Sequence, residues 1–222
     1  MPAQFISLTA ALVLFLLIIS PAMADDWDNL LGARLQGSAD RAQPWPQLAP
    51  QWQRAQRLEA DAPAFQRGGK ANLPQPYLKF WDNLLQRVPS LNKLQVLRLV
   101  SGFINTQFSG RSDQENYGMG EYWAAPTELF KNHGGDCEDF VIAKYFALRS
   151  LNFSADDLRM LVVEVPSRHA WHALLAARID GQIYIVDNNF RPKDMALLHR
   201  QLSNFFILHL AFNEKGAWYY RK

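Results

Sequence analysis

The chain has 222 residues, of which 49% are hydrophobic, and its formal net charge at pH 7 is +2. This balance gives no reason to expect a nucleic acid or an acidic membrane surface as a partner, because such partners select strongly charged surfaces. The single cysteine excludes an internal disulfide, and the length suits one domain with a substantial hydrophobic core.

Residues 1–24 have the pattern of an export signal. The segment from Phe5 to Ser20 is almost wholly apolar, and Pro21-Ala22-Met23-Ala24 ends in the small-x-small pattern of a cleavage site. The residues before the apolar run include no Lys or Arg, and the run is nearly long enough to remain as an uncleaved membrane anchor. The Ala-Met-Ala ending favours cleavage, so we expect an exported protein whose single domain spans residues 25–222.

The first part of that domain, residues 25–135, is predicted to be mostly helical. A short helix is expected around Arg54–Leu58. Residues 77–88 have apolar side chains at helical spacing and end at Pro89, and Ser90 can cap the next helix. That helix is predicted from Leu94 to Phe108, where apolar residues recur at intervals of three and four and form one face.

Two further segments lead to the only cysteine. Residues 109–120 are polar and contain glycine, which predicts a loop. A short helix is predicted to begin at Pro126 and to be ended by Gly134-Gly135. After these glycines, a helix is expected from Cys137 to about Leu151, with Asp136 as its N-cap.

The second part, residues 136–222, is predicted to contain that helix and an antiparallel sheet. Asp180-Gly181 is a strong signal for a two-residue hairpin loop. The expected strands are 160–165, 171–179, 182–186, 205–212 and 218–220. Helices followed by antiparallel strands indicate an α+β domain.

Cys137 lies between acidic residues at the predicted start of its helix. Unpaired backbone N–H groups at a helix N-terminus favour a thiolate. Asp136, Glu138 and Asp139 have the opposite effect, because their negative charges raise the pKa of a neighbouring thiol. A bound hard cation such as Ca²⁺ would remove this conflict, since it takes carboxylate oxygens. The alternative is a buried structural cysteine, although a lone free thiol is unusual in an oxidising compartment.

The hairpin predicts where a histidine and an acid meet. If Asp180 and Gly181 form the loop, residue 174 lies opposite residue 187 and residue 172 opposite residue 189. His172, Asp187 and Asn189 then project from one face, with Asp187 as the diagonal neighbour of His172. An acid there could orient the imidazole while His172 acts as a base toward a thiol.

Other residues compete for the same roles. Asn189 is the rival orienter, although Asp187 better stabilises an imidazolium. His169 is the rival base, on a predicted loop that fixes its direction less well. Three more histidines, His133, His199 and His209, have no acid placed beside them by a comparable argument. No spacing of His and Cys indicates a zinc site.

Several motifs together resemble a known family. These are Tyr117-Gly118, the run from Glu121 to Glu128 (EYWAAPTE), the run from Gly135 to Asp139 (GDCED), the run from His172 to Leu175 (HALL), and Val186-Asp187-Asn188. In this order they resemble the bacterial transglutaminase-like cysteine proteinases of the LapG type. The resemblance is strong over about residues 77–200 and implies a transglutaminase-like, papain-like α+β fold.

The resemblance implies a Cys-His-Asp triad of Cys137 as nucleophile, His172 as general base and Asp187 as orienter. It also implies Ca²⁺ as cofactor, with Asp136, Glu138 and Asp139 as ligands. Asp113 and Asn116 are further candidates without an assigned role.

The family's activity is an endopeptidase activity in the periplasm. Its substrate is the N-terminal region of a large surface adhesin, cut typically at an Ala-Ala bond, and the cut disperses a biofilm. An inner-membrane receptor for cyclic diguanylate sequesters such enzymes. Two alternatives remain: a transglutaminase or other acyl transferase, and a catalytically silent periplasmic binding module on the same fold.

Overall fold

The computed structural model describes residues 27, 34–38, 45–61, 63–65, 75–189, 196–198 and 204–221. The predicted export signal, residues 1–24, lies outside them. The described helices are α1 (Trp45–Asp61), α2 (Gln75–Arg87), α3 (Lys93–Gln107), α4 (Asp113–Tyr117), α5 (Pro126–Asn132) and α6 (Cys137–Ser150). Short 3₁₀ turns occupy Val88–Ser90, Ala155–Asp157 and Pro166–Arg168. The predicted helical first part is thus confirmed for these residues.

Helix α1 is much longer than the segment predicted around Arg54–Leu58. Its Trp52 is 2% exposed and packs edge-on against Tyr145 and Phe212, which come much later in the chain. Such contacts stabilise a helix whose local sequence, rich in Gln and Pro, gives a weak helical signal.

Helix α3 begins differently from the prediction. Its N-cap is Asn92, which forms a reciprocal capping box with Gln95, whereas the Ser90 hydroxyl donates backward to the carbonyl of Arg87. The predicted apolar face of α3 is confirmed by the burial of Leu97 and Ile104.

The region predicted as a loop, residues 109–120, contains helix α4. Ser112 and Glu115 form a capping box at its start, and Gly118 ends it in the left-handed conformation. Before it lies β2 (Ser109–Gly110), which pairs in parallel with β3 (Gly134–Gly135). These short segments join α4 to the chain just before Cys137.

Among the described residues, seven strands form one antiparallel sheet in the order β1-β9-β8-β4-β5-β6-β7. They are β1 (Arg34–Ser38), β4 (Leu158–Val165), β5 (Ala170–Ile179), β6 (Gln182–Val186), β7 (Leu197–Leu198), β8 (Ile207–Asn213) and β9 (Gly216–Arg221). The five predicted strands are confirmed with small shifts of their ends. Strands β1 and β7 were not predicted, and each lies at an edge of the sheet.

The predicted β5–β6 hairpin and its register are confirmed. Asp180 and Gly181 both have positive φ angles, 50° and 72°, as a two-residue hairpin loop requires. Ile179 pairs with Gln182, and the ladder continues without a shift to Leu175 and Val186. This register fixes which face each later residue presents.

Both faces of the sheet are buried. Leu175 and Ala177 of β5 belong to the large core shared with the helices. The alternate residues Leu174 and Ala176 belong to a second cluster on the opposite face, together with Trp27. Helix α6 lies at the centre of the large core, and most of its residues are buried. No helix in the described part of the chain is both long and apolar enough to cross a membrane.

Trp27 anchors the segment before β1 to the second face of the sheet. Its side chain is 0% exposed, and its indole Nε1–H donates to the carbonyl of Asp156 at 3.0 Å. The guanidinium carbons of Arg159 and Arg178 lie 4.7 and 5.5 Å from its ring centre. Arg159 also stacks on Trp218 at 3.9 Å, so Trp27 completes a layered arrangement of rings and cations.

We predict that Trp27→Ala destabilises the fold strongly, because it leaves a cavity and removes these stacked contacts. The free energy of unfolding, measured with urea, should fall by about 3–5 kcal/mol. Trp171→Ala is the matched control, since Trp171 is 59% exposed, and it should cost less than about 1 kcal/mol. Equal losses in the two variants would show that Trp27 does not have this anchoring role.

Candidate active site

Cys137 is the first residue of α6, and Asp136 before it adopts the extended conformation of an N-cap. Asp139 reaches back to the same turn: its Oδ2 accepts from the backbone N–H of Asp136 at 3.4 Å, and its Oδ1 from that of Ala124 at 2.7 Å. A Cβ on Gly135 would lie 2.2 Å from Oδ2 of Asp139. The glycine therefore allows the carboxylate to approach the backbone, and the predicted position of Cys137 at a helix N-terminus is confirmed.

The two glycines before Cys137 do not end the preceding helix as predicted. His133 ends α5 in the left-handed conformation, with φ of 55°. Gly134 and Gly135 are instead needed for close packing, because a Cβ on Gly134 would lie 2.4 Å from the carbonyl oxygen of Ser109.

A cavity of about 660 Å³ contains Cys137 and His172 in its lining. Ala173 and the exposed Trp171 form part of the same wall. Helix α1 forms another part of the lining with Gln47, Leu48 and Gln51. The nucleophile predicted on a helix and the base predicted on a strand thus border one space.

Hydrogen bonds hold α1 in position beside this cavity. Gln51 accepts from the backbone N–H of Trp123 at 3.0 Å. The guanidinium of Arg54 donates to both carboxylate oxygens of Glu128 and lies 4.4 Å from the ring centre of Tyr122. The segment 121–128, which is the EYWAAPTE motif, therefore supports the part of helix α1 that lines the cavity.

His172 and Asp187 are hydrogen-bonded, as the hairpin register predicted. Nε2 of His172 lies 2.8 Å from Oδ1 of Asp187, which is 7% exposed. The same Oδ1 accepts from the backbone N–H of Asn189 at 2.9 Å, and Nδ2 of Asn105 donates to the Asp187 carbonyl at 2.6 Å. Burial favours a higher pKa for Asp187, but the hydrogen bond and charge of His172 outweigh it and hold the pKa below its usual value.

The rival orienter, Asn189, also reaches the imidazole. Its Nδ2 lies 3.3 Å from Nε2 of His172, farther than the Asp187 oxygen. Because the backbone N–H of Asn189 donates to Asp187 while its side chain lies beside the ring, Asn189 braces the pair. The geometry favours Asp187 as the direct partner of the ring.

The thiol of Cys137 is engaged with its neighbour. Sγ donates to Oε2 of Glu138 at 3.2 Å, and among the described residues it makes no hydrogen bond to His172. Burial raises the pKa of the thiol, and the negative charge of Glu138 raises it further, whereas the backbone N–H of Ala173 lowers it. Burial and Glu138 thus favour the neutral thiol in this arrangement.

The other described histidines have different partners. His169 is exposed in a turn with φ of 48°, and His133 bonds through Nδ1 to the hydroxyl of Tyr77 at 3.1 Å. His209, beside which the sequence argument placed no acid, has its Nε2 3.3 Å from Oε2 of Glu164. His199 lies outside the described residues. None of the described three lies on a cavity wall with Cys137.

Carboxylates from three segments converge beside Cys137. One group consists of Asp113, Glu121 and Glu138, and a second of Asp113, Asp136 and Asp139. Within each group the carboxylate oxygens lie within 4.8 Å of one another. The structure therefore brings the further candidate Asp113, and Glu121, which was not predicted, together with the three predicted ligands. Asn116, the other residue considered, donates its amide to the carbonyl of Gly134 at 3.0 Å.

The cluster is electrostatically unsatisfied. Burial, reinforced by the charge of Asp136, raises the pKa of Asp113 to about 6 and that of Asp139 to about 8. The same causes raise the pKa of Glu138 well above its usual value. Oδ1 of Asp113 and Oδ1 of Asp136 are buried and have no hydrogen-bond partner among the described residues. Crowded, unpaired carboxylate oxygens are the donors that a hard cation such as Ca²⁺ requires.

Comparison with known proteins places these features in a family. Residues 84–219 match the sequence model described as bacterial transglutaminase-like cysteine proteinase BTLCP. Calcium-bound Legionella pneumophila LapG is similar in structure, with 25% identity, a TM-score of 0.51, and coverage of 75% of this chain and 86% of that one. The EGTA-treated form has 24% identity, a TM-score of 0.52, and coverage of 76% and 86%. Among curated proteins, none is significantly similar to the chain.

We predict that Asp113→Asn weakens calcium binding by about tenfold or more, because Asp113 belongs to both carboxylate groups. Isothermal titration calorimetry on residues 25–222 would measure the affinity. Glu115→Gln is the control: it removes one negative charge two residues away but retains the side-chain oxygen that caps α4. The ligand role of Asp113 would be contradicted by equal losses of affinity in the two variants.

Proposed function

The chain belongs to the family of bacterial transglutaminase-like cysteine proteinases, and on this premise we propose that it is a calcium-dependent periplasmic endopeptidase with Cys137 as nucleophile. The proposal rests above all on the 2.8 Å hydrogen bond between His172 and Asp187 beside the cavity that also contains Cys137. A thiol, an imidazole and an orienting carboxylate are the groups that thiol proteases need.

The reaction divides into two steps on these residues. Nε2 of His172 is occupied by Asp187, so Nδ1 accepts the proton of the Cys137 thiol. The sulfur then attacks a peptide carbonyl, the C–N bond breaks, and His172 returns the proton to the leaving amine. In the second step, water activated by His172 hydrolyses the thioester and frees the thiol.

Two features of the chain support the transition state and the nucleophile. Backbone N–H groups at the start of α6 can stabilise the oxyanion beside Cys137. The N–H of Ala173 already faces the sulfur and favours its thiolate form. For the first step, the thiol must exchange its hydrogen bond with Glu138 for one with His172.

Calcium is the cation that the carboxylate cluster fits best. A similar structure, that of Legionella pneumophila LapG, is described as calcium-bound, which supports the same assignment here. The side chains that would hold the ion are Asp113, Glu121, Asp136, Glu138 and Asp139. Bound calcium would supply positive charge beside Cys137 and compensate the carboxylates that otherwise favour the neutral thiol.

The substrate and its regulation follow from the family resemblance. We propose that the enzyme cuts the N-terminal region of a large surface adhesin, at an Ala-Ala bond, and so promotes biofilm dispersal. An inner-membrane receptor for cyclic diguanylate would sequester it. The predicted export signal over residues 1–24 supports the periplasmic location.

We predict that Cys137→Ala abolishes cleavage and leaves the fold intact. The assay would use residues 25–222 and the N-terminal fragment of the large adhesin of the source organism. Cleavage would be followed with calcium, with a chelator, and with chelator followed by excess calcium. We expect activity that is lost with chelator and restored by calcium, because the cluster needs a cation.

The same assay separates the alternatives. Incorporation of an amine into the substrate, in place of new N-termini, would indicate an acyl transferase. No reaction, together with slow alkylation of Cys137, would indicate a binding module. A fully active Cys137→Ala variant would exclude Cys137 as nucleophile.

We predict that substitutions of Asp187 and Asn189, the two residues beside the imidazole, have unequal effects on kcat. Asp187→Asn should lower kcat by at least ~100-fold, because an amide cannot stabilise an imidazolium as a carboxylate does. Asn189→Ala should lower it by less than ~10-fold, since Asp187 remains. Steady-state kinetics on the same fragment would measure both, and the reverse order would make Asn189 the orienter.

A further inference from the structure

An exposed tryptophan borders the cavity that contains Cys137. Trp171 is 59% exposed and lines this cavity together with the nucleophile. Among the described residues, the other large apolar side chains of comparable exposure are Met119 and Phe205, and neither lines the cavity. The mechanism described above does not use Trp171. A large ring that stays exposed beside a nucleophile is a candidate contact for the substrate.

The ring of Trp171 is braced from one side although it is exposed. The imidazole of His209 packs against it with 4.7 Å between the ring centres and 62° between the ring planes. Nε2 of His209 lies 3.3 Å from Oε2 of Glu164, and Glu164 is directly opposite Trp171 in the β4–β5 ladder. A ring that is already held in place loses less conformational entropy when a ligand packs on it.

The backbone of β5 has an open edge beside the same ring. The ladder between β5 and β6 ends at Leu175, and among the described strands none pairs with residues 170–174 on that side. Ile179 closes the two-residue hairpin and exchanges backbone hydrogen bonds with β6, so every second residue of β5 faces the same side. The backbone N–H and C=O groups of Trp171 and Ala173 therefore point to the open edge.

The side chains around this edge suit an uncharged segment of peptide. Trp171 and Ala173 lie on one face of β5, because they are two residues apart. Val162 of β4 and Leu48 of α1 belong to the same lining and add apolar surface. The acidic side chains of the lining all belong to the proposed calcium site, so a bound ion would compensate their charge.

We propose that Trp171 is a specificity-determining residue for an extended peptide that binds along the open edge of β5. This inference rests on the proposed endopeptidase function and names the part of the substrate that is read. The peptide adds to the edge through main-chain hydrogen bonds, and its alternate side chains point to one face. The residue attacked by Cys137 lies beside Ala173, so an apolar side chain two residues from it packs on the ring of Trp171. His209 is a positioning residue that acts through Trp171.

A profile of cleavage sites tests the assignment. Peptides from a digested bacterial proteome would be incubated with residues 25–222 and calcium, and mass spectrometry would identify the new N-termini. For the parent chain we expect apolar side chains to be enriched by at least ~5-fold at a position two residues from the attacked residue. Trp171→Ala should lose this enrichment at that position alone, whereas Trp171→Phe should retain it. Phe205→Ala is the matched control: it removes a ring that is 66% exposed but outside the cavity lining, and it should keep the parent profile.

Kinetics separate substrate binding from damage to the catalytic groups. On the adhesin fragment, Trp171→Ala should raise KM by about tenfold and change kcat little, because the ring contacts a part of the substrate away from the bond that breaks. The rate at which iodoacetamide alkylates Cys137 should not change, since this small reagent does not reach Trp171. His209→Ala should raise KM in the parent chain and have no further effect in the Trp171→Ala background.

The outcomes distinguish this inference from the proposed function. If the parent chain cuts neither the peptides nor the adhesin fragment, the endopeptidase function fails and this inference fails with it. If the parent chain cuts them, and Trp171→Ala leaves both the profile and KM unchanged, the inference alone is overturned. It is equally wrong if Phe205→Ala raises KM as much as Trp171→Ala does. If both Trp171→Ala and Trp171→Phe fail to fold, Trp171 is structural and the proposal is wrong.

Discussion

Repulsion between carboxylates at the start of α6 is the constraint on which the site depends. Acids from α4, from the loop after it and from the start of α6 lie within 4.8 Å of one another in two groups, and one of them, Glu138, accepts a hydrogen bond from the nucleophile. Their charge must be offset by protons or by a cation, and the two compete for the same oxygens. The protonated cluster favours a neutral thiol bonded to Glu138, whereas a cation would leave the sulfur beside compensated charge. The proposed calcium dependence would therefore be a direct electrostatic consequence of where Cys137 lies.

The fold brings this acidic cluster together with His172 and Asp187, which come later in the chain. The helical layer supplies Cys137 and the α1 wall, and the sheet supplies His172 and Asp187. The two-residue hairpin fixes the positions of His172 and Asp187 on the sheet, because its register decides which face each residue of the two strands presents. The helical side depends instead on close backbone approach, which Gly135 permits. The sheet side of the site is thus set by strand register, whereas the helical side carries the acidic cluster and depends on its charge.

Much of this could be predicted from short-range patterns. The Asp180-Gly181 turn gave the register, and from it the meeting of His172 with Asp187. The same reasoning could not find the full length of α1, whose stability comes from Trp52 contacts with residues far along the chain. Glu121 joins the acidic cluster only through tertiary packing, so no local spacing indicates it. The burial of Lys144 likewise depends on tertiary packing and has no local signal.

The burial of Trp27 bears on the predicted export signal, because it places a folded residue close to the predicted cleavage site. Only Asp25 and Asp26 separate Trp27 from the predicted cleavage site after Ala24, and an extended chain from Ala24 to Trp27 spans about 10 Å. If residues 1–24 stayed in the bilayer as an anchor, the face of the sheet that holds Trp27 would lie directly against the lipid headgroups. If they are removed, the same domain diffuses freely. Processing at one peptide bond would thus determine whether the enzyme searches for its substrate in two dimensions or in three.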